Sequence, residues 1–375
     1  MTTAILGGGL MGAAVAYHLA AAGHDVWVFD RDDRGRATSA GAGIISGYTT
    51  GHPDDDYAHL AIEAENYYRE LIPQLSNHET GYTACPLLIV ALVGDEENFA
   101  AHRDRIQQRQ FRWAADFGPH PAVVDVNPGF AQARCPALGP VSGALYHEGA
   151  ARVDGRLLCE SLKASAENLG ARFVAASIDT IAVEDGRLKS IETDGTHYPM
   201  DTLVIAGGAW SNAFAPQLGH PIPVVPHRGQ IVHLKDGDRR DVANWPIIVG
   251  MRGHYVVPWP DGHVVAGASR ESQSGYSPWF TAGGQQEVLT EALRVVPGLA
   301  LAKILEWRVG LRPTSIDGLP ILGPSPTTKG IYFVTGHGPG GLLLGPYTAK
   351  LVTDLILGHP TPRDISRYYP ARFVH

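Results

Sequence analysis

The stretch ILGGGLMGAAVAYHLAAAGHDVWVFDR, residues 5–31, decides the fold of this chain. It begins within an apolar run at 4–6, which predicts a buried parallel strand. The glycines at positions 7, 9 and 12 then fit the pattern G-x-G-x-x-G. Gly7 permits a tight turn, Gly9 lets the backbone approach a phosphate, and Gly12 lets a helix pack closely on its strand. The spacing indicates a turn that holds the pyrophosphate of a dinucleotide.

The residues after this turn support the same interpretation. The pattern predicts a helix over 10–22, whose positive N-terminal end would point at the pyrophosphate. Gly23 ends the helix, and an apolar strand over 26–29 ends at Asp30. An acid about twenty residues beyond the glycines commonly binds the ribose hydroxyls. The chain has 44 glycines, so three glycines at this spacing alone are weak evidence. The order of strand, glycine turn, helix, strand and acid is what predicts dinucleotide binding.

Length and composition limit the class of protein. At 375 residues two lobes are expected, and 44% hydrophobic with 18% charged residues is ordinary for a globular protein. The net charge of −8 argues against nucleic acid or an anionic membrane surface as a partner. No apolar run approaches the ~20 residues of a membrane span.

Targeting and cysteine usage both favour the cytoplasm. The pyrophosphate turn lies so close to Met1 that we expect no cleaved signal peptide. Cys85, Cys135 and Cys159 are scattered and odd in number, as in a reducing compartment. We therefore expect a cytoplasmic protein without a disulfide framework.

The remaining chain divides into recognisable segments. Helices are predicted at 54–75, 96–113, 154–169, 285–296 and 346–357, and strands at 86–93, 172–174, 203–206, 304–309 and 331–334. A hairpin with its turn at 260–262 is predicted within 254–269. The proline-containing stretch 117–140 is interpreted as a connecting segment.

The C-terminal unit bears on which dinucleotide is bound. A strand, the glycine loop GHGPGG and a helix follow there, far from the first turn. A helix N-terminus behind such a loop offers amide donors and a positive pole, which would stabilise the negative charge of a reduced flavin. A nicotinamide dehydrogenase would share the first turn but would not need this second strand–loop–helix unit. A further alternative is that the C-terminal glycines only allow close packing at an ordinary strand-to-helix turn.

Several motifs resemble, in order, the D-amino-acid oxidase superfamily. They are ILGGGLMGAAVAYHLAAAGHDVWVFDR, ATSAGAGIIS, VIAGGAWS, HRGQIV, HYVVPWPDGHVVAGAS, WRVGLRPTSIDGLPILG and YFVTGHGPGGLLLGPYTAKLVTDLI. The sequence is most similar to glycine oxidases, D-amino-acid dehydrogenases and sarcosine-type oxidases. The resemblance covers most of the chain and is weakest over 54–140.

The resemblance implies an α/β fold with two lobes. A Rossmann-like FAD-binding lobe of the glutathione-reductase type would comprise 1–84, 141–220 and 311–375. A substrate lobe with an antiparallel sheet would comprise 85–140 and 221–310. FAD would be bound non-covalently, since relatives that attach the flavin use a cysteine near the C-terminal loop and none lies beyond Cys159 here.

The resemblance also assigns the cofactor contacts. The expected residues are Gly7, Gly9, Leu10, Met11 and Gly12 at the pyrophosphate; Asp30 and Arg31 at the ribose; Thr38, Ser39, Ala42, Gly43 and Ile44 along the phosphates and the isoalloxazine edge; Ile178 at adenine; Gly207 and Gly208 beside the cofactor; and Gly338, Pro339, Gly340, Gly341 and Leu342 at the flavin pyrimidine.

Two residues are assigned to the substrate by the same resemblance. Arg312 matches the arginine that pairs with the substrate carboxylate, and a planar guanidinium suits that task because it makes two parallel charge-assisted bonds. Tyr255 matches a tyrosine that touches the same carboxylate, although a strand tyrosine also fits a core. His337 fits either a catalytic or a turn role. Trp307 and Tyr48 are expected at the pocket from their positions.

The implied reaction is hydride transfer from the α-carbon of a small amino acid to flavin N5. The imino acid formed would hydrolyse to a 2-oxo acid and ammonia or an amine. Glycine, D-amino acids and N-methyl amino acids remain open as substrates. The electron acceptor, oxygen or a quinone, is also left open, because residues 338–340 near the flavin are smaller than the residues that glycine oxidases have there. A flavin-bound protein acting on another class of substrate is the alternative. No metal site is expected, and a homo-oligomer is left open.

Overall fold

A computed structural model describes residues 1–76, 79–118, 120–237 and 240–374. Its strands are β1 Thr2–Leu6, β2 Asp25–Phe29, β3 Ile44–Ile45, β4 Thr83–Ala84, β5 Leu87–Leu92, β6 Val123–Val126, β7 Val141–His147, β8 Ala151–Arg152, β9 Arg172–Val174, β10 Thr180–Glu184, β11 Arg187–Thr193, β12 Thr196–Pro199, β13 Thr202–Ile205, β14 Val224–Lys235, β15 Ile247–Gly250, β16 Tyr255–Pro258, β17 His263–Gly267, β18 Lys303–Ser315, β19 Ile321–Pro324 and β20 Ile331–Thr335. Its α-helices are α1 Leu10–Ala21, α2 Asp55–Leu71, α3 Glu96–Arg112, α4 Ala114–Phe117, α5 Pro128–Arg134, α6 Gly155–Asn168, α7 Ala215–Leu218, α8 Ala282–Val295 and α9 Gly341–Leu357.

A six-stranded sheet in the order β19-β20-β13-β1-β2-β9 carries the first glycine turn. Its strands are parallel except for β19, which runs antiparallel to β20. One large apolar core includes residues of α1, α2, α6 and α9, and another lies among β1, β13, β20 and the small sheet β10-β11-β12. The central strands are apolar throughout because the sheet is covered on both faces.

Strand register brings the glycine turns together at one edge of this sheet. Leu6 pairs with both Phe29 and Ile205, so the three strands end level. The turn after β1 therefore lies against the turn after β13, and a Cβ on Gly7 would lie 3.1 Å from the Gly207 Cα. Ligands of open α/β sheets bind at this carboxyl edge.

An eight-stranded, mostly antiparallel sheet in the order β18-β14-β17-β16-β15-β5-β7-β6 forms the second large layer. Its longest pair joins β14 and β18, with His227 opposite Arg312 and Gly229 opposite Gly310. Only β5 and β15 pair in parallel among the described strands of this sheet. The predicted fold class, α/β with a second sheet-containing lobe, is confirmed. The domain boundaries stay a prediction, and β18 runs through residue 311, where one boundary was placed.

Two segments differ from the sequence prediction. The stretch 117–140 contains β6 and α5, because Asn127 caps α5 through its Oδ1 atom, 2.9 Å from the Phe130 amide, and Pro128 occupies the first helical position. Helix α9 starts at Gly341 and not at 346, with Pro346 inside it. The earlier start matters because it places the helix N-terminus directly behind the GHGPGG loop.

Among the described residues, no helix combines the length and apolar character that crossing a membrane would require.

Candidate active site

A cavity of about 1020 Å³ lies between the two large sheets, at the carboxyl edge of the six-stranded one. This exceeds the upper end of the usual range for ligand pockets, so a dinucleotide and a small second molecule would fit. The cavity brings together the residues expected at cofactor and substrate, which come from both sheets. They are Gly7, Gly9, Leu10, Met11, Asp30, Arg31, Thr38, Ala42, Gly43, Ile44, Ile178, Gly207, Gly208, Tyr255, Arg312, Gly338, Pro339, Gly340, Gly341 and Leu342.

Gly12 and Ser39 lie behind the cavity wall. A Cβ on Gly12 would overlap the Gly7 carbonyl oxygen, so Gly12 serves the packing of α1 against the turn. The Ser39 hydroxyl donates to the Arg36 carbonyl at 3.0 Å. Both residues therefore shape the site without facing it.

The N-terminus of α1 opens into one end of the cavity. The first amides of any helix lack intrahelical acceptors, and here the Leu10 amide donates to the Thr38 Oγ1 atom at 3.1 Å. This bond joins the glycine turn to the segment around Thr38. Helix dipole and free amides together make this end suited to a phosphate group.

Asp30 lies beside the same turn and fixes its backbone. The Gly8 amide donates to Asp30 Oδ2 at 2.6 Å, and Arg36 Nη1 lies 3.3 Å from the same oxygen. Arg31 pairs with Asp33 at 2.6 Å. The carboxylate thus holds the turn in shape while facing the space that a ribose would occupy.

The N-terminus of α9 reaches the cavity from the other side. A single 3₁₀ turn, Gly338–Gly340, leads into α9, and no side chain caps the helix among the described residues. Amide donors and the positive helix pole therefore face the cavity, which favours an anionic group there.

His337 is held in the wall as a turn residue. Its Nε2 lies 2.9 Å from the Thr348 Oγ1, and the Thr348 hydroxyl donates to the Gly345 carbonyl at 3.1 Å, so the His337 N–H donates to Thr348. Burial lowers the pKa of His337 to about 3. The imidazole is therefore neutral at physiological pH, and its geometry shows a bond that fixes the loop to α9.

Arg312 presents a half-buried guanidinium to the cavity. Its Nη1 donates to the Ser269 carbonyl at 3.0 Å, and it forms no ion pair with a carboxylate among the described residues. Burial lowers the pKa of Arg312, while Tyr255 opposes this shift. An unpaired buried cation is costly, so this end of the cavity favours a ligand that carries an acid.

Tyr255 lies beside this guanidinium. Burial raises the pKa of the Tyr255 phenol, and Arg312 opposes the rise, so the hydroxyl stays protonated and can donate. A Cβ on Gly267 would lie 2.9 Å from the Tyr255 hydroxyl oxygen, which shows how closely the pairing strand approaches it.

A polar network behind Arg312 supports its position. Glu271 accepts from Arg228 Nη2 at 2.6 Å, Gln230 Nε2 at 2.7 Å and the Ser269 hydroxyl at 2.8 Å. Although burial opposes it, these bonds lower the pKa of Glu271 to about 2. Ser269, whose carbonyl holds Arg312, is thereby fixed by the Glu271 carboxylate.

Sequence reasoning missed several cavity residues and misplaced two. Arg36, His227 and Arg270 line the cavity, but single residues on strands and loops carry no pattern that could have identified them. The expectation for Trp307 and Tyr48 was wrong. Trp307 packs against the core of the eight-stranded sheet, and Tyr48 stacks on His120 beside a separate cavity.

Comparison with known proteins yields a family match and full-length relatives. A family model described as "DAO: FAD dependent oxidoreductase" matches residues 2–355. Glycine oxidase from Pseudomonas putida is 30% identical over 98% of this chain and 97% of its own. An uncharacterised oxidoreductase, YurR, from Bacillus subtilis is 34% identical over 98% of both chains. The crystal structure of iminodiacetate oxidase from Chelativorans sp. BNC1 matches with a TM-score of 0.91, at 34% identity and 98% coverage of both chains.

Proposed function

The chain belongs to the DAO family of FAD-dependent oxidoreductases, and from this membership we propose that it oxidises the amine of a small amino acid. The substrate would be glycine, a D-amino acid or an N-methyl amino acid, and the product an imino acid that hydrolyses to a 2-oxo acid and ammonia or an amine. The observation that carries the proposal is Arg312, a half-buried guanidinium without an acidic partner among the described residues, in the cavity that the residues expected at the cofactor also line.

The residues of the cavity fit FAD. The N-terminus of α1 suits the pyrophosphate, Asp30 suits the adenosine ribose, and the N-terminus of α9 suits the pyrimidine end of the flavin. FAD, when bound, supplies the hydride acceptor for the reaction. Residues 338–342 would place amide donors where that acceptor becomes negative.

Binding and orientation are the tasks left to the protein. Arg312 would make paired charge-assisted bonds to the substrate carboxylate, with the Tyr255 hydroxyl as a further donor. Two fixed donors restrict the α-carbon to one orientation, and such positioning supplies much of a rate enhancement. Glu271 and Ser269 act through Arg312 by holding it in place.

A second substrate class is favoured by Arg270. Arg270 lines the same cavity, and its guanidinium donates to the carbonyls of Arg252 and Gly253 at 2.8 and 2.9 Å. The pKa of Arg312 is lowered mainly by burial, and the positive charge of Arg270 lowers it further. A substrate with two carboxylates would offset both positive charges. The 34% identical iminodiacetate oxidase has such a compound in its name, and we propose iminodiacetate-like amines as the second candidate.

The test is anaerobic reduction of the bound flavin. Holoenzyme is mixed in turn with glycine, sarcosine, proline, D- and L-amino acids and iminodiacetate, and the visible spectrum is followed. Bleaching by one of them supports amine oxidation, and readmitted air then separates an oxidase from a quinone-dependent dehydrogenase by the rate of colour recovery. A yellow protein that no amine bleaches would contradict the proposal.

The variant Arg270→Gln separates the two substrate classes. Reduction by iminodiacetate should slow while reduction by glycine or sarcosine is unchanged, since only the dicarboxylate reaches both guanidinium groups. Equal slowing with all substrates would contradict a role for Arg270 in recognising a second carboxylate.

The proposed location is the cytoplasm. Cys85, Cys135 and Cys159 are buried and form no disulfide in the described part of the chain, as is usual in a reducing compartment.

A further inference from the structure

A cluster of two histidines and a glutamate lies outside the large cavity. Glu65 on α2, His120 before β6 and His147 at the end of β7 bring one oxygen and two nitrogen atoms within 4.8 Å of one another. No metal site was predicted from the sequence, because these ligands come from distant segments without a characteristic spacing. None of them lines the large cavity.

The distances suit a tetrahedral metal ion. Glu65 Oε1 lies 3.6 Å from His120 Nε2 and 3.6 Å from His147 Nε2. These separations are too long for a good hydrogen bond. Zinc with bonds of about 2.0–2.2 Å to nitrogen and oxygen would keep tetrahedral ligand atoms about 3.4 Å apart. The two distances from Glu65 Oε1 are therefore close to those between tetrahedral ligands, and all three ligand atoms lie within 4.8 Å of one another.

The three atoms are also buried without partners. Glu65 is 1% and His147 0% exposed, and neither Glu65 Oε1 nor either Nε2 has a hydrogen-bond partner among the described residues. Buried polar atoms of this kind are rare in native proteins. Each of them faces the space between the three side chains, where an ion would satisfy all three.

The other atoms of two ligands are fixed by the protein. His120 Nδ1 lies 2.9 Å from the Pro121 carbonyl and donates to it, so Nε2 is the ring nitrogen left for the cluster. Metal-binding histidines usually donate their second N–H in this way. Glu65 Oε2 accepts from the Gly47 amide at 2.6 Å, which leaves Oε1 for the ion.

The surroundings of the cluster hold the two histidine rings. The Tyr48 ring stacks on His120 at 3.5 Å between centroids. A Cβ on Gly149 would lie 2.8 Å from His120 Cε1 and 3.1 Å from His147 Cε1, so glycine is needed for the rings to converge. A second cavity of about 200 Å³ is lined by His120 and Tyr48, so open space adjoins one of the three ligands.

We propose that Glu65 Oε1, His120 Nε2 and His147 Nε2 bind one divalent transition-metal ion, with zinc as the best match. Two imidazoles, a carboxylate and a water form a set that zinc commonly accepts. The ion joins α2, the segment before β6 and strand β7. Through Glu65 it also supports Gly47, which follows Ile44 and Ser46 of the large cavity wall.

Metal analysis of the holoenzyme tests this proposal. Protein is loaded with Zn²⁺, freed of excess by gel filtration and analysed by inductively coupled plasma mass spectrometry beside its flavin absorbance. We expect one zinc per chain in the native enzyme, and loss of that zinc in Glu65→Gln and His147→Gln. His197→Gln, at a side chain that is 68% exposed in another sheet, is the matched control and should keep the zinc.

Two further outcomes decide the proposal if a variant fails to fold. Crystals of the native, zinc-loaded enzyme should show anomalous scattering at the zinc edge between the three side chains, and chelator treatment should lower the Tm. Absence of that anomalous peak would overturn the proposal, as would a zinc content that is unchanged in both ligand variants.

Discussion

The Tyr68 hydroxyl donates a hydrogen bond to the Leu342 carbonyl in the first turn of helix α9. In a regular helix that carbonyl would accept from the amide four residues later, but position 346 is a proline and has no N–H. Tyr68 is fully buried, on α2. A side chain of another helix thus replaces the missing bond and allows α9 to begin at the cavity.

Tyr68→Phe should therefore destabilise the enzyme. The Leu342 carbonyl would be buried without a donor, which costs about 1–3 kcal/mol. In a Pro346→Ala background the new amide can bond to Leu342, so the same substitution should cost clearly less. Urea unfolding of the four proteins measures this cycle, and equal costs in both backgrounds would show that Tyr68 acts by packing alone.

Arg312→Lys should lower kcat/KM for an amino-acid substrate by about 10²–10³-fold, within the range for breaking a buried charged pair. Lysine keeps the charge but loses the planar pair of donors. Arg308→Lys is the matched control, because Arg308 lies on the same strand and pairs with Glu306 instead. Equal activity of the two variants would exclude Arg312 as the carboxylate site.

Gly229→Ala should displace the Arg312 guanidinium without removing its charge. A Cβ at position 229 would overlap the guanidinium, which lies directly over this glycine. We expect a higher KM and a lower kcat with FAD content unchanged. Gly283→Ala, where a Cβ would meet nothing within 4 Å, should behave as the native enzyme. Unaltered kinetics of Gly229→Ala would show that the arginine can shift without loss.

Asp30→Ala should weaken FAD binding. The Gly8 amide would lose its acceptor beside the glycine turn. Leaving such a donor unpaired costs about 1–3 kcal/mol, which as a loss of binding free energy corresponds to about a 5- to 150-fold rise in the Kd for FAD. Fluorescence titration of the apoprotein with FAD measures the change. Asp25→Ala, at the other end of the same strand in an exposed pair with Arg172, should leave the Kd as it is. The assignment of Asp30 would be wrong if both variants bound FAD alike.

Acid should destabilise the enzyme from about pH 6.5 downward, near the ordinary pKa of histidine. Burial lowers the pKa of His18 and of His337 to about 3, so between these values the unfolded chain binds protons that the folded chain does not. Stability then falls as the pH falls. Below the ordinary glutamate pKa of about 4.5, Glu271 adds to the loss because its folded pKa is about 2.

The measurement is the urea midpoint of the holoenzyme between pH 8 and pH 4 (about the range where histidine and carboxyl groups titrate). His337→Gln can still donate toward Thr348 and removes one titrating group, so its midpoint should fall less steeply over this range. An identical slope in the variant would mean that His337 does not contribute.

The sequence predicted those parts of the site in which one local pattern fixes the backbone. The turn at Gly7, helix α1 and Asp30 lie within one contiguous strand–turn–helix–strand unit. Asp154, where the predicted helix 154–169 begins, caps α6 with its Oδ1 2.8 Å from the Arg156 amide. The start of α9 at Gly341 could not be predicted from a local sequence pattern. Its Pro346 is compatible with a helix only because Tyr68, far away in the chain, supplies the missing donor.

Contacts between distant side chains account for the other failures. Nothing local distinguishes Arg270, which faces the cavity, from Arg308, which pairs with Glu306 on its own strand. The same holds for His120 and His147, whose rings meet only after β7 has paired with β6. Trp307 was misplaced because its position in a strand does not reveal which face of the sheet it occupies.

The strand order of the six-stranded sheet also has a consequence for synthesis on the ribosome. Strand β1 lies between β2 and β13, and β13 lies beside β20, so the sheet that holds the first glycine turn is completed only by residues 331–335. The amides of α9 follow later still. A nascent chain thus carries an unfinished nucleotide site for most of its translation, and cofactor capture has to await nearly the whole polypeptide.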